Sequence, residues 1–205
     1  LDRFMPQLLK ALAQCEQPLE IFNRVLPVLK AVLRRSSYLV LLLENPQALK
    51  QLVLLVQSST WIAEQLATWS VLLDELIDVR NLYRDVAPSR EELSSMLRQQ
   101  MLRISEDDLE AHMEALRHFK RAQNLRAAAC EVTGRLPLMK VSDYLTFMAE
   151  VILDFVLQIA WKVLVEKHGI PLQENGEVCD PGFIIVGYGK LGGLELGHGS
   201  DLDLV

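Results

Sequence analysis

Apolar residues recur at three- and four-residue intervals from Leu1 to about His168, and most prolines and glycines fall at the breaks between such runs. This spacing predicts an all-helical array. A first helix is expected to end near Glu16, a second to run from about Leu19 through Arg34 with a kink at Pro27, and a third to cover Tyr38 to Leu43. Asn45-Pro46 restarts the chain and places Leu49, Leu52, Val53 and Val56 on one helix face. Ser59 is positioned to cap the next helix, which carries Trp61, Ile62, Leu66 and Trp69. Ser89 with Glu92, and more loosely Ser105 with Asp108, have the spacing of a capping box and predict two further helix starts.

Gly134 and Pro137 close the helix that contains Phe119 to Cys130, and Ser142 is expected to cap a last long helix that Gly169 ends. From Val151 to Glu166 the polar positions of that helix are Asp154, Gln158, Lys162 and Glu166, a single stripe at four-residue intervals. Such a helix is expected to lie inside a bundle, with the stripe facing solvent or a domain junction. Asp154 reads as a solvated residue, since acids are seldom buried without a partner.

The period changes after Gly169. Pro171 to Pro181 is polar and turn-rich, and Phe183 to Val186 is the first compact apolar run with β-branched residues, predicted as a strand. Six glycines follow from Gly187 to Gly199, predicted as a loop leading into a short helix. Asp201 to Val205 then alternates acid with apolar residue, the period of a strand with Leu202 and Leu204 turned to a core. Two strands and a loop cannot form a core of their own, so the polypeptide is expected to continue beyond Val205. The domains expected are an all-helical one over 1–169 and the N-terminal part of a second over 170–205.

Composition narrows the function classes. A formal charge of −6 and a pI near 5.3 argue against a protein that wraps nucleic acid, which needs a surplus of Lys and Arg. Arg117, Lys120, Arg121 and Arg126 form a basic stretch at mixed helical spacing and read as a solvated face. Cys15, Cys130 and Cys179 are far apart with no CxxC pair, which fits reduced structural thiols and a cytoplasmic location. No run approaches the roughly 18 apolar residues of a spanning helix, so no membrane partner is expected.

Chemistry is concentrated in the last nineteen residues, GYGKLGGLELGHGSDLDLV. Asp201 and Asp203, two apart in a predicted strand, would project from one face and offer the hard oxygen ligands that magnesium prefers. Gly187, Gly189, Gly192 and Gly193 let backbone approach a phosphate, and Lys190 adds a charge for a triphosphate. His198, between two glycines, reads as loop structure, and the remaining histidines show no metal-ligand spacing. Tyr188 reads as a plug over the glycine turn.

The order strand, Gly189-Lys190, glycine pair, Ser200-Asp201-Leu202-Asp203 resembles the signature of the DNA polymerase beta superfamily of nucleotidyltransferases. That resemblance implies an α/β catalytic fold in which Gly189, Lys190, Gly192, Gly193 and Ser200 shape the ATP site. It also implies that Asp201 and Asp203 are catalytic metal ligands for Mg2+, with a third carboxylate on a later strand. The narrower wording GKLGGLELGHGSDLDL, together with SSYLVLLLENPQALKQLV, STWIAEQLATWSVLLDELID and FKRAQNLRAAACEVTGRLPLMKVSDYLTFMAEVIL upstream, is similar to the bacterial glutamine synthetase adenylyltransferase family. Leu194 departs from that family's pattern, which usually carries arginine or tryptophan there.

The family resemblance implies transfer of AMP from ATP to a tyrosine of glutamine synthetase, with pyrophosphate leaving, and a second unit that removes it. ELGHGSDLDL looks like the attaching unit. Glutamine synthetase is the implied protein substrate, with the PII signal protein and glutamine as regulators. The fold class expected for these 205 residues is therefore mainly α, a helical bundle-like domain followed by the start of an α/β nucleotidyltransferase fold, inactive by itself. The rival expectation is a helical interaction or regulatory module of the same enzyme; action on RNA or a small molecule is disfavoured by the acidic charge.

Overall fold

A computed structural model describes residues 2–33, 35–178 and 183–205. Its described elements are mainly α: α1 (Phe4–Leu12), α2 (Pro18–Leu33), α3 (Ser36–Glu44), α4 (Pro46–Ser58), α5 (Thr60–Thr68), a 3-10 helix (Ser70–Leu76), α6 (Val79–Leu82), α7 (Arg90–Met101), α8 (Leu109–Val132) and α9 (Leu138–His168). A ribbon of β1 (Gly187–Tyr188) and β2 (Asp203–Leu204) encloses the one-turn helix α10 (Gly189–Gly192) in sequence. The chain divides into two compact units, Leu1–Val86 with Arg121–Val141, and Ala87–Lys120 with Ser142–Val205.

The breaks between helices follow from local chemistry. Asn45 closes α3 by donating its backbone N–H and its Nδ2 to the Leu41 carbonyl, at 3.0 and 2.8 Å. Pro46 then opens α4 at a position whose N–H would be unused in any case. The hydroxyls of Ser59 and Ser89 accept from the Ile62 and Glu92 amides at 3.3 and 3.2 Å, as their spacing predicts. Ser105 does not cap: Asp108 does, its Oδ1 accepting from the Ala111 amide at 2.9 Å, and α8 starts at Leu109. The loose box failed because an aspartate is itself a strong cap and stands one turn nearer the apolar run.

Gly134, at φ +69°, ends α8 with the Arg135 amide donating back to the Cys130 carbonyl at 2.9 Å. The start of α9 lies five residues before the one that a cap at Ser142 implies. Pro137 supplies a carbonyl to the Lys140 and Val141 amides, so the helix opens at Leu138 and Ser142 lies inside it. α1, by contrast, is shorter than expected, ending at Leu12, and α2 runs through Pro27.

The first unit holds a continuous apolar core. Leu8, Val25, Val32, Leu52, Leu55, Val56, Ile62, Leu66, Leu73 and Leu82 are fully buried in it, with Ala122, Leu125, Ala128 and Ala129 of α8. At its edge Arg126 donates from Nε to Glu75 of the 3-10 helix at 2.7 Å, with side chains only 14% and 12% exposed. Cys130 is buried beside them in sequence, its thiol donating to the Leu82 carbonyl, and burial pushes its pKa up. Cys15 is half-buried, and Cys179 lies outside the described residues.

In the second unit α9 is enclosed along Tyr144, Leu145, Thr146, Met148, Ala149 and Val151. Beyond Val151 the expected burial is not found: Val156, Val163 and Leu164 are exposed. The reason is that the second unit lays too few side chains over this stretch, and Phe183 and Ile184 are themselves 62% and 77% exposed. The polar stripe is tied down instead, with Asp154 accepting from Arg90 at 2.6 Å and Lys162 donating to Glu106. Phe183 to Val186 does not form a strand, although Val186 and Val205 exchange backbone hydrogen bonds at 2.8 and 3.0 Å. A two-stranded ribbon has no neighbour to extend it, so pairing stops within a few residues. For the same reason Leu202 and Leu204 are 38% and 40% exposed rather than buried.

Among the described residues no single helix is long and apolar enough to cross a membrane; Ser37–Glu44 and Pro46–Ser58 reach that length and composition only as a pair bent by 101°.

Burial decides which ion pairs matter. Glu75→Ala strands a nearly buried guanidinium and is expected to cost about 3 kcal/mol, whereas Glu106→Ala breaks an exposed pair and should cost under about 1 kcal/mol. Urea unfolding midpoints of the two variants measure the difference, and equal shifts would contradict this account.

Candidate functional site

The glycine turn and the acid strand are joined by an antiparallel ladder in which Gly187 pairs with Leu204 and Tyr188 with Asp203. That register carries the chain from β1 straight into Gly189, which takes φ +55° and so needs a residue without a Cβ. A Cβ on Gly189 would also stand 2.5 Å from Oδ2 of Asp203, the tip of an exposed side chain that can turn aside, so the backbone conformation makes the stronger demand. The Asp203 carboxylate therefore lies directly over the first residue of α10.

The other glycines divide into packing and turn positions. A Cβ on Gly192 would meet the Gly187 carbonyl oxygen at 2.6 Å, and one on Gly187 would meet the Leu191 side chain at 2.6 Å. Gly187 and Gly192 thus let one turn of helix lie flat on the strand that precedes it. Gly193 has φ −86°, within the range open to any residue. The left-handed position falls one residue later, on Leu194 at φ +57°, where a side chain costs about 1 kcal/mol or more. Its backbone closes α10, with the Leu194 amide donating to the Leu191 carbonyl at 3.2 Å and the Glu195 amide to the Lys190 carbonyl at 2.8 Å. Leu191 and Leu196 are the buried anchors of the segment.

Ser200 closes a second turn. Its hydroxyl oxygen accepts from the Gly197 amide at 3.0 Å while its own amide donates to the Gly197 carbonyl at 3.1 Å. The hydroxyl proton is left to serve another acceptor. Lys190 and both aspartates are exposed, and of the two acids only Asp203 lies in the ladder; Asp201 precedes β2. Tyr188 is 55% exposed and His198 half-buried.

Two exposed carboxylates with hard oxygen donors suit a magnesium ion as part of its ligand set. Among the described residues no group of three or more His, Cys, Asp or Glu side chains could hold a metal, so Asp201 and Asp203 furnish only part of such a set. Three of the four basic side chains on α8 are occupied elsewhere. Arg117 pairs with Glu110 and Glu114, Arg121 stacks 3.5 Å over the Trp69 ring, and Arg126 is held by Glu75. Sequence reasoning gave the glycines to phosphate approach and did not foresee the left-handed conformation of Leu194, whose one signal was its departure from the family pattern.

Comparison with known proteins gives a consistent result. The family model described as glutamate-ammonia ligase adenylyltransferase matches residues 49–205. Proteins named bifunctional glutamine synthetase adenylyltransferase/adenylyl-removing enzyme are 58% identical in Pseudomonas syringae, 57% in Pseudomonas aeruginosa and 53% in Hahella chejuensis, each over the whole of this chain. The chain spans 21%, about a fifth, of the length of each of these relatives.

The glycines make separable predictions. Gly189→Ala and Gly192→Ala are expected to loosen the ribbon, the second more than the first because its clash is with backbone rather than a side-chain tip. Gly199→Ala meets nothing within 4 Å and should be silent. Amide hydrogen exchange over 187–205 reads this, and protection lost equally in all three variants would contradict it.

Proposed function

The chain belongs to the glutamate-ammonia ligase adenylyltransferase family, and from that premise we propose that residues 187–205 open the catalytic unit that attaches AMP from ATP to a tyrosine of glutamine synthetase. One observation carries this reading. The Asp203 carboxylate lies against Gly189, so glycine turn and acid strand present one continuous surface. A phosphate chain laid over Gly189 and a cation held by Asp203 would then be neighbours, which is what an in-line displacement at phosphorus requires.

In this reading Gly189 and Lys190 meet the triphosphate, Lys190 with its exposed ammonium and Gly189 with an open backbone. Gly192 and Gly193 support the turn from behind, Gly192 by its close packing on Gly187. The Ser200 hydroxyl, anchored by the Gly197 amide, directs its proton toward a phosphate oxygen. Asp201 and Asp203 would hold magnesium as part of its ligand set, and the ion would supply charge neutralisation at the α-phosphate and the leaving pyrophosphate. The tyrosine oxygen of glutamine synthetase attacks the α-phosphorus, its bond to phosphorus forming as the bond to pyrophosphate breaks and its hydroxyl proton passing to water.

The wording ELGHGSDLDL supports assignment to the attaching rather than the removing unit. A third carboxylate from elsewhere in the enzyme completes the metal site, and a helical domain over 1–169 leads into a catalytic domain that starts at 170–205. The PII signal protein and glutamine act as regulators of the whole cytoplasmic enzyme.

Asp201→Ala and Asp203→Ala in the full-length enzyme are each expected to lower AMP attachment by on the order of a hundredfold or more, because each removes charge aimed at the transition state. Removal of AMP should persist in both. Lys190→Ala should weaken attachment by about tenfold, as one of several phosphate donors. Label transfer from ATP to glutamine synthetase measures all three; near-parental attachment by either aspartate variant, or loss of removal in its place, would contradict the assignment.

A further inference from the structure

The ribbon of β1 and β2 has two faces, and its register sorts the residues between them. Residues directly opposite each other across an antiparallel pair project from the same face, so the pairing of Tyr188 with Asp203 puts the phenol ring on the face that carries the acid. Gly187 and its partner Leu204 belong to the other face by alternation. That other face is the one turned toward the helices of the second unit. Gly187 and Leu191 border a cavity of about 490 Å³ together with Leu153 and Leu157 of α9, and neither Tyr188 nor Asp203 lines it.

Tyr188 is 55% exposed, too open for a plug over the glycine turn. Exposure alone says little on so small a ribbon, since Leu202 and Leu204 are exposed as well. What singles out Tyr188 is its partner. A substrate that reaches Asp203 must find that face open, and polypeptide laid over the opposite face leaves the ring beside the acid uncovered.

We infer that Tyr188 is a substrate-binding residue for the acceptor: the aromatic ring of the tyrosine to be modified lies against its phenol ring. The inference rests on the reading of 187–205 as the site of AMP attachment. In that reading the departing phosphates lie over Gly189 and the start of α10, and in-line displacement puts the attacking oxygen on the opposite side of the α-phosphorus. Along β1 that side is Tyr188, the last strand residue before the turn. Two phenol rings in offset or edge-to-face contact gain attraction beyond the area they bury, and the contact fixes where the acceptor oxygen stands. The ring of Tyr188, and not its hydroxyl, carries this role.

The test is Tyr188→Phe and Tyr188→Leu in the full-length enzyme, with Asp203→Asn as a control on the site itself. Tyr188→Phe keeps the ring and should show parental KM values. Tyr188→Leu keeps the bulk of a strand residue but not the ring, so its KM for glutamine synthetase should rise about fivefold while its KM for ATP stays parental. A parental KM for glutamine synthetase in Tyr188→Leu overturns the inference. So does a raised KM for ATP, alone or together with the other, because the ring then meets the nucleotide or only holds the ribbon. If Asp203→Asn still attaches AMP at the parental rate, the site reading fails and the inference falls with it; if Asp203→Asn is inactive while Tyr188→Leu keeps both KM values, the inference alone falls.

Discussion

The approach of Asp203 to Gly189 is the constraint on which the rest of the site depends. A carboxylate oxygen occupies the place where any other residue at 189 would put its Cβ, at 2.5 Å. The strand register, the positive φ of Gly189 and the flat packing of α10 on Gly187 all serve that one approach. Move β2 by one residue and the aspartate would turn to the other face of the ribbon. The chemistry proposed here follows from this closeness, since a cation on the acid and a phosphate over the glycine can be adjacent only if strand and turn are.

The helices supply a different kind of support. The first unit is a closed apolar core that needs little beyond its leucines and valines, with the Arg126–Glu75 pair fastening α8 to the 3-10 helix. The second unit is less finished. Its enclosed part ends near Val151 on α9, after which apolar residues of the helix and of the strand-entry segment face outward. The relatives are about five times as long as this chain, each matched over 21% of its length.

Helix existence was legible in the sequence because periodicity and caps act locally. Ser59, Ser89, Pro46 and Gly134 each do what their spacing foretold. Starts were misplaced where two signals competed. Asp108 outranked Ser105 as a cap, and Pro137 opened α9 ahead of Ser142. The burial of Val156, Leu202 and Leu204 was overestimated because an apolar pattern states what a face could pack against, not whether these 205 residues provide it. The motif itself was legible as an order of residue types, but its tightest features were not. Which glycine bears the positive φ, and that Leu194 shares the left-handed region with it, depend on how α10 closes, and no spacing rule encodes that.

The central claim is that residues 187–205 face the triphosphate of ATP. Photolabelling the full-length enzyme with an ATP analogue that carries an aryl azide on its γ-phosphate, in the presence of magnesium, tests it most directly. Peptide mapping should then find label within 187–205, displaced by excess ATP and lost in Asp203→Asn. Label that maps only to other segments while the enzyme remains active in AMP attachment would contradict the account.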